Sequence, residues 1–212
     1  LTIETAEKAK AEGVKQFIFM SSAIVYGDSA PLGKTKIIKA DTQPTPNNCY
    51  SDSKWQAELG LKEVEKNSAM KVCVLRTPMI YGKGSKGNYP VLAKFAQKLP
   101  IFPKVNNTRS MLYIENLCEF VRLMIENEEQ GVFWPQNKEY SNTTEIVKLI
   151  AATHGKKVKT IGVFNRGLYV LRHGTGLVDK AFGSLAYDQK MSEYKEEYRI
   201  VDLKESIRRT EG

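Results

Sequence analysis

At 212 residues the chain can hold one domain, or a domain with a smaller lobe, around a sizeable core. With 42% hydrophobic and 26% charged residues it has an ordinary globular balance, and no apolar run reaches the ~20 residues of a membrane-spanning helix. The net charge of +8 suits an anionic ligand, but the lysines are scattered and no basic run is interleaved with aromatics, so nucleic acid is not the expected partner.

The chain opens on "LTIETAEKAKAEG", a helix in progress that stops at Gly13 and has none of the features of a signal peptide. Leu1 is not a methionine and the helix has no visible start, so upstream sequence is expected to be missing. "VKQFIFMSS" follows as a short buried strand, and residues 27–49, rich in Gly and Pro, read as a long loop. The segment "SDSKWQAELGLKEVEKN" is predicted to be a helix, and the continuous β-branched run "KVCVLR" (71–76) a strand buried on both faces. Strand, helix, strand in that order make one βαβ unit, and hence a parallel sheet with a right-handed crossover.

Beyond this unit the periodicity turns helical. A helix is predicted over 88–100, and a short strand over "RSMLYIENL" running into a helix with Leu117, Phe120, Val121, Met124 and Ile125 on its apolar stripe. Asn142 and Glu145 suggest a cap for "TTEIVKLIAATHG", residues 162–185 suggest two short amphipathic helices, and "DLKESIRRTEG" a terminal one. Residues 1–82 are expected to form the sheet side and 83–212 a smaller, mostly helical lobe. Three separated cysteines (Cys49, Cys73, Cys118) and only two histidines make both a zinc site and a disulfide framework unexpected, which fits a reducing cytoplasm.

Tyr50 and Lys54 stand four apart, on one face of a helix. A free phenol is a poor base at neutral pH, but a neighbouring ammonium favours its phenolate. Ser22 ends the first strand, and ligands of open parallel sheets bind just beyond the carboxyl ends of strands, so its hydroxyl is well sited to orient a substrate hydroxyl.

"FMSSAIVYG" (19–27), "YSDSK" (50–54), "VLRTPMIYGKG" (74–84) and "RSMLYIENL" together resemble the extended short-chain dehydrogenase/reductase family of nucleotide-sugar epimerases and dehydratases. The resemblance implies an α/β fold: the C-terminal part of a Rossmann-like doubly wound parallel sheet plus a mostly helical substrate lobe. It implies that Ser22 bonds the sugar hydroxyl being oxidised, that Tyr50 takes its proton, and that Lys54 binds the nicotinamide ribose and keeps Tyr50 acidic. By the same likeness Thr77 lies near the nicotinamide, while Asn88 and Arg109 meet the nucleotide diphosphate. The implied cofactor is NAD, with NADP as the alternative, and the implied partner a UDP-sugar or related nucleotide-sugar, with a homodimer left open. The family's glycine-rich pyrophosphate turn is absent, and "GKGSKG" (82–87) does not replace it, so about a hundred upstream residues at ~30 per βαβ unit are expected to be missing.

Where the family's dehydratases carry Asp and Glu after the Ser/Thr, this chain has Ala23 and Ile24, which disfavours elimination. Met79 stands where UDP-galactose 4-epimerases have an Asn, which opens the site to an N-acetylated or otherwise modified sugar. The resulting expectation is a C4 epimerase. The alternatives are a keto-sugar reductase or dehydrogenase of the same family and a non-enzymatic module.

Overall fold

The computed structural model describes residues 1–66, 68–162 and 182–212. Helix α1 (Thr2–Ala11) hands over through Glu12 and Gly13 to strand β1 (Gln16–Ser22). Gly13 takes the left-handed conformation (φ 73°) that a helix stop asks of glycine. A single 3₁₀ turn, Ala23–Tyr26, then leads into the long loop, which contains a two-residue strand, β2 (Ile37–Ile38).

Helix α2 (Cys49–Glu65) begins two residues earlier than the sequence suggests. The reason is a reciprocal cap: the Asn48 side chain accepts from the Ser51 amide at 2.9 Å, and the Ser51 hydroxyl accepts from the Asn48 amide at 3.1 Å. Gly60 lets α1 approach closely, since a Cβ there would sit 2.2 Å from the Ile3 side chain.

Strand β3 (Lys71–Thr77) pairs in parallel with β1, Gln16 opposite Lys71 through Ser22 opposite Thr77, which is the expected βαβ unit. Alternation along β3 sorts its side chains between two layers. Val72 and Val74 pack with Leu61 and Val64 of α2 and Ala6 of α1. Cys73 and Leu75 pack on the other face with Leu117, Phe120, Leu123 and Met124. Those last four belong to α4 (Ile114–Glu126), and both faces of β3 are therefore covered. Burial pushes the Cys73 thiol up to about 12, leaving it an inert core group. On α4 the stripe is shifted from the expected one: Leu123 is buried and Ile125 is exposed.

The third strand of this sheet, β7 (Gly131–Phe133), pairs with the far side of β3, giving the order β1-β3-β7. It lies beyond residue 82, in the stretch expected to be helical. Further short strands pair outside this sheet: β4 (Met79–Tyr81) with β6 (Met111–Tyr113), the strand expected over "RSMLYIENL", β5 (Ile101–Pro103) with β8 (Lys159–Ile161), and β2 with β9 (Ala186–Tyr187). Strands of two or three residues are too short for a period of two to show. Around them α3 (Asn88–Lys98), α5 (Thr143–Thr153) and α6 (Leu203–Glu211) bury a second core built on Tyr81, Leu92, Phe102, Ile146, Ile150 and Ile207. The two helices expected over 162–185 fall largely on residues 163–181, outside the described ones. Among the described residues no helix is long and apolar enough to cross a membrane.

Candidate active site

β1 and β3 end side by side at Ser22 and Thr77. Ser22 is extended (φ −150°, ψ 151°), and its hydroxyl accepts from the Ile24 amide at 3.3 Å, which starts the 3₁₀ turn. The turn closes at Gly27 (φ 80°), where a Cβ would meet the Thr45 carbonyl at 2.9 Å. Gly27→Ala is therefore expected to lower stability by about 1–3 kcal/mol, the range for a non-glycine residue held in such a conformation, as read by urea denaturation.

The cap at Asn48 sets the start of α2, so Tyr50, Lys54 and Glu58 follow at four-residue intervals along one side of the helix. Tyr50 is 58% exposed. The Lys54 ammonium donates to the Met20 carbonyl at 2.9 Å and sits 4.8 Å from the centre of the Phe19 ring, so it is anchored on the end of β1. Thr77 is buried, and its hydroxyl donates to the Ser21 carbonyl at 3.1 Å, tying β3 to β1.

A cleft of about 540 Å³ opens at these strand ends and brings Ser22, Tyr50, Asn88 and Arg109 into one lining. Lys54 and Thr77 are not part of that lining. Asn88 is exposed as the first residue of α3, following Gly87 at the cap position. Arg109 sits in a short bridge between Ser141 and Leu185, and burial pulls its guanidinium below the ordinary value. Ala23, Ile24 and Met79 contribute the apolar part of the lining.

Two features escaped the sequence reading. Asp28 places a carboxylate in the lining, held by the Asn47 amide, and Lys36 fastens its backbone by donating to the carbonyls of Tyr26 at 2.6 Å and Asp28 at 3.0 Å. Beneath the cleft lies a buried charged network. Arg76 Nη2 meets Glu58 Oε2 at 2.6 Å, with Arg76 Nε at 3.0 Å from the same oxygen, and the Ser21 hydroxyl also donates to Glu58. The other side of the guanidinium donates to the Tyr26 hydroxyl at 2.6 Å, which also accepts from Trp134 at 2.8 Å. The rings of Tyr26, Trp55 and Trp134 surround Arg76 at 5.2, 5.5 and 5.9 Å. Burial acts to lower the Arg76 pKa, but the bonds to Glu58 and Tyr26 carry it above its usual value. The available signals were an arginine directly after the apolar run 72–75 and a glutamate one turn after Lys54.

A parallel sheet covered on both faces, with hydroxyls and a lysine gathered at its strand ends, defines an α/β protein of the Rossmann-like class. Residues 1–134 match the NAD dependent epimerase/dehydratase family, and the chain belongs to it. It is 32% identical over 155 residues to UDP-glucose 4-epimerase of Vibrio cholerae, covering 71% of this chain and 47% of that protein. It is 31% identical to N-acetyl-alpha-D-glucosaminyl-diphospho-ditrans,octacis-undecaprenol 4-epimerase of Escherichia coli O157:H7, covering 70% of this chain and 45% of that protein. The chain thus spans about half the length of these curated relatives. The fold matches UDP-glucuronic acid 4-epimerase from Bacillus cereus in complex with NAD, with a TM-score of 0.71 and 18% identity over 98% of this chain and 64% of that one. It also matches the UDP-glucose 4-epimerase of Thermus thermophilus in complex with NAD, with a TM-score of 0.70 and 19% identity over 99% of this chain and 67% of that one.

Proposed function

We propose that the protein is a nucleotide-sugar C4 epimerase that works with bound NAD, and that Ser22, Tyr50 and Lys54 carry its proton chemistry. What supports this reading is the single cleft that Ser22, Tyr50, Asn88 and Arg109 share at the ends of two parallel strands. The donor set there, two hydroxyls with an ammonium one helical turn behind, fits the nicotinamide end of the cofactor. Tyr50 and Lys54 would hold that end, with Thr77 beside them. When bound, the cofactor supplies a reversible hydride acceptor.

The chain's own residues do the rest. Ser22 hydrogen-bonds the C4 hydroxyl and sets its direction. Tyr50 takes the hydroxyl proton as C4 is oxidised, and gives it back when C4 is reduced from the opposite face. Lys54, one turn along the helix and anchored on the Met20 carbonyl, binds the nicotinamide ribose. Arg109 and Asn88 bind the diphosphate at the far side of the cleft. Ala23 and Ile24 have no proton to offer, so elimination of water finds no acid or base at those two positions.

For the substrate we propose a UDP-sugar. An N-acetylated hexose is favoured by Met79, which lines the cleft and offers a side chain able to pack on an acetyl methyl. The Escherichia coli relative, whose name specifies an N-acetylglucosaminyl group carried on diphospho-undecaprenol rather than UDP, supports the N-acetylated sugar alone. We place the protein in a reducing cytoplasm, on the odd and sparse count of three separated cysteines, and propose a homodimer on family likeness alone.

The test is product analysis with the full-length protein and UDP-glucose, UDP-galactose and their N-acetylated counterparts. Interconversion of a C4 pair with no net change in reduced-cofactor absorbance is the expected result. Accumulation or loss of reduced cofactor in step with product would overturn it in favour of a reductase or dehydrogenase.

A further inference from the structure

We propose that Ser21 and Glu58 are positioning residues: their hydrogen bond fastens the carboxyl end of β1 to the helix that carries Tyr50, and so sets the placement of Ser22 against Tyr50. The inference rests on the catalytic reading of Ser22 and Tyr50 given above. Three independent bonds converge on Met20 and Ser21, the two residues before Ser22. From α2, Lys54 donates to the Met20 carbonyl at 2.9 Å and Glu58 accepts from the Ser21 hydroxyl. From β3, Thr77 donates to the Ser21 carbonyl at 3.1 Å.

The register explains why one carboxylate can reach both strands. Ser21 lies opposite Arg76, so their side chains rise from the same face of the sheet, the face that α2 covers. Glu58 comes down between them, accepting from Ser21 with one oxygen and pairing chiefly with Arg76 through the other. Ser22, one residue on, has the opposite parity and lines the cleft. Ser21 and Glu58 are both buried, so neither touches substrate. Their effect on the reaction passes through the position of Ser22. The Arg76 side chain is itself immobilised by three aromatic rings and the Tyr26 hydroxyl, and that gives Glu58 a fixed reference rather than a flexible partner.

The experiment uses the full-length protein with Ser21→Ala, Ser21→Thr and, as a control, Tyr50→Phe. Ser21→Ala removes the tie and leaves the Arg76–Glu58 pair in place, so the variant is expected to fold. Two readouts are taken: hydrogen exchange of the peptide spanning residues 20–24, and the split between kcat and KM. The expected result for Ser21→Ala is faster exchange in that peptide alone and a kcat lowered about tenfold at unchanged KM, within the ~10²-fold that a misplaced reacting group can cost. Ser21→Thr, which keeps the hydroxyl, is expected to restore both. Unchanged exchange, or a kcat that stays at wild type while Tyr50→Phe is inactive, overturns the positioning role. If Tyr50→Phe itself turns over normally, the catalytic reading has failed and the positioning role falls with it, an outcome the exchange data keep distinct.

Discussion

Tyr50→Phe is expected to lower turnover by about three orders of magnitude, within the 10²–10⁴ that a positioned acid or base contributes, and to leave the fold as it is. Both halves follow from where the side chain sits. Its ring is 58% exposed on the second residue of α2, so loss of one oxygen leaves no cavity and no buried orphan. The Asn48–Ser51 cap that fixes this end of the helix does not involve the phenol, and the thermal midpoint should therefore move by no more than a degree or two. KM for the nucleotide-sugar should change little, since the diphosphate is assigned to Arg109 and Asn88 across the cleft. A variant that keeps even a tenth of wild-type turnover would remove Tyr50 from the chemistry, and attention would shift to Asp28, the carboxylate in the same lining.

How much of this was legible beforehand depended on element length. Long periodic segments declared themselves: α2, β3 and α5 stand where the hydrophobic pattern put them, because burial of one face or both repeats over enough residues to be counted. The three-residue strands β4, β5, β7 and β8 did not, since their conformation is settled by partners far away in the chain, while β6 was legible only because it leads straight into the periodic helix α4. At the site, the four-residue spacing of Tyr50 and Lys54 and the strand end at Ser22 could be read locally. Thr77 shows the limit: a strand-end hydroxyl is visible in sequence, but its bond to the Ser21 carbonyl depends on a register that only the folded sheet supplies. The same holds for Glu58 and Arg76, two charges in apolar surroundings whose pairing requires α2 to lie across β1 and β3.

That pair carries the largest expected effect on stability. Glu58→Leu is expected to cost about 3–5 kcal/mol in the full-length protein, because it leaves the Arg76 guanidinium buried without its counter-charge. Arg76 and Glu58 are only 7% and 6% exposed, so neither can turn to water without opening the core. The three surrounding rings do not compensate, since a desolvated cation–π contact is worth ~2 kcal/mol and the penalty for an unpaired buried ion is several. The Ser21 hydroxyl loses its acceptor as well, and at 3% exposure it has no solvent to replace it. Arg76→Met alone should cost a comparable amount, by leaving the Glu58 carboxylate stranded. The double variant Glu58→Leu/Arg76→Met removes both charges together and is expected to cost no more than either single variant, so urea denaturation of the four proteins should return a coupling of at least ~3 kcal/mol, the upper end for contacting groups. Additive losses would mean that the two side chains act independently, and that the bonds between them do not hold β3 and α2 together.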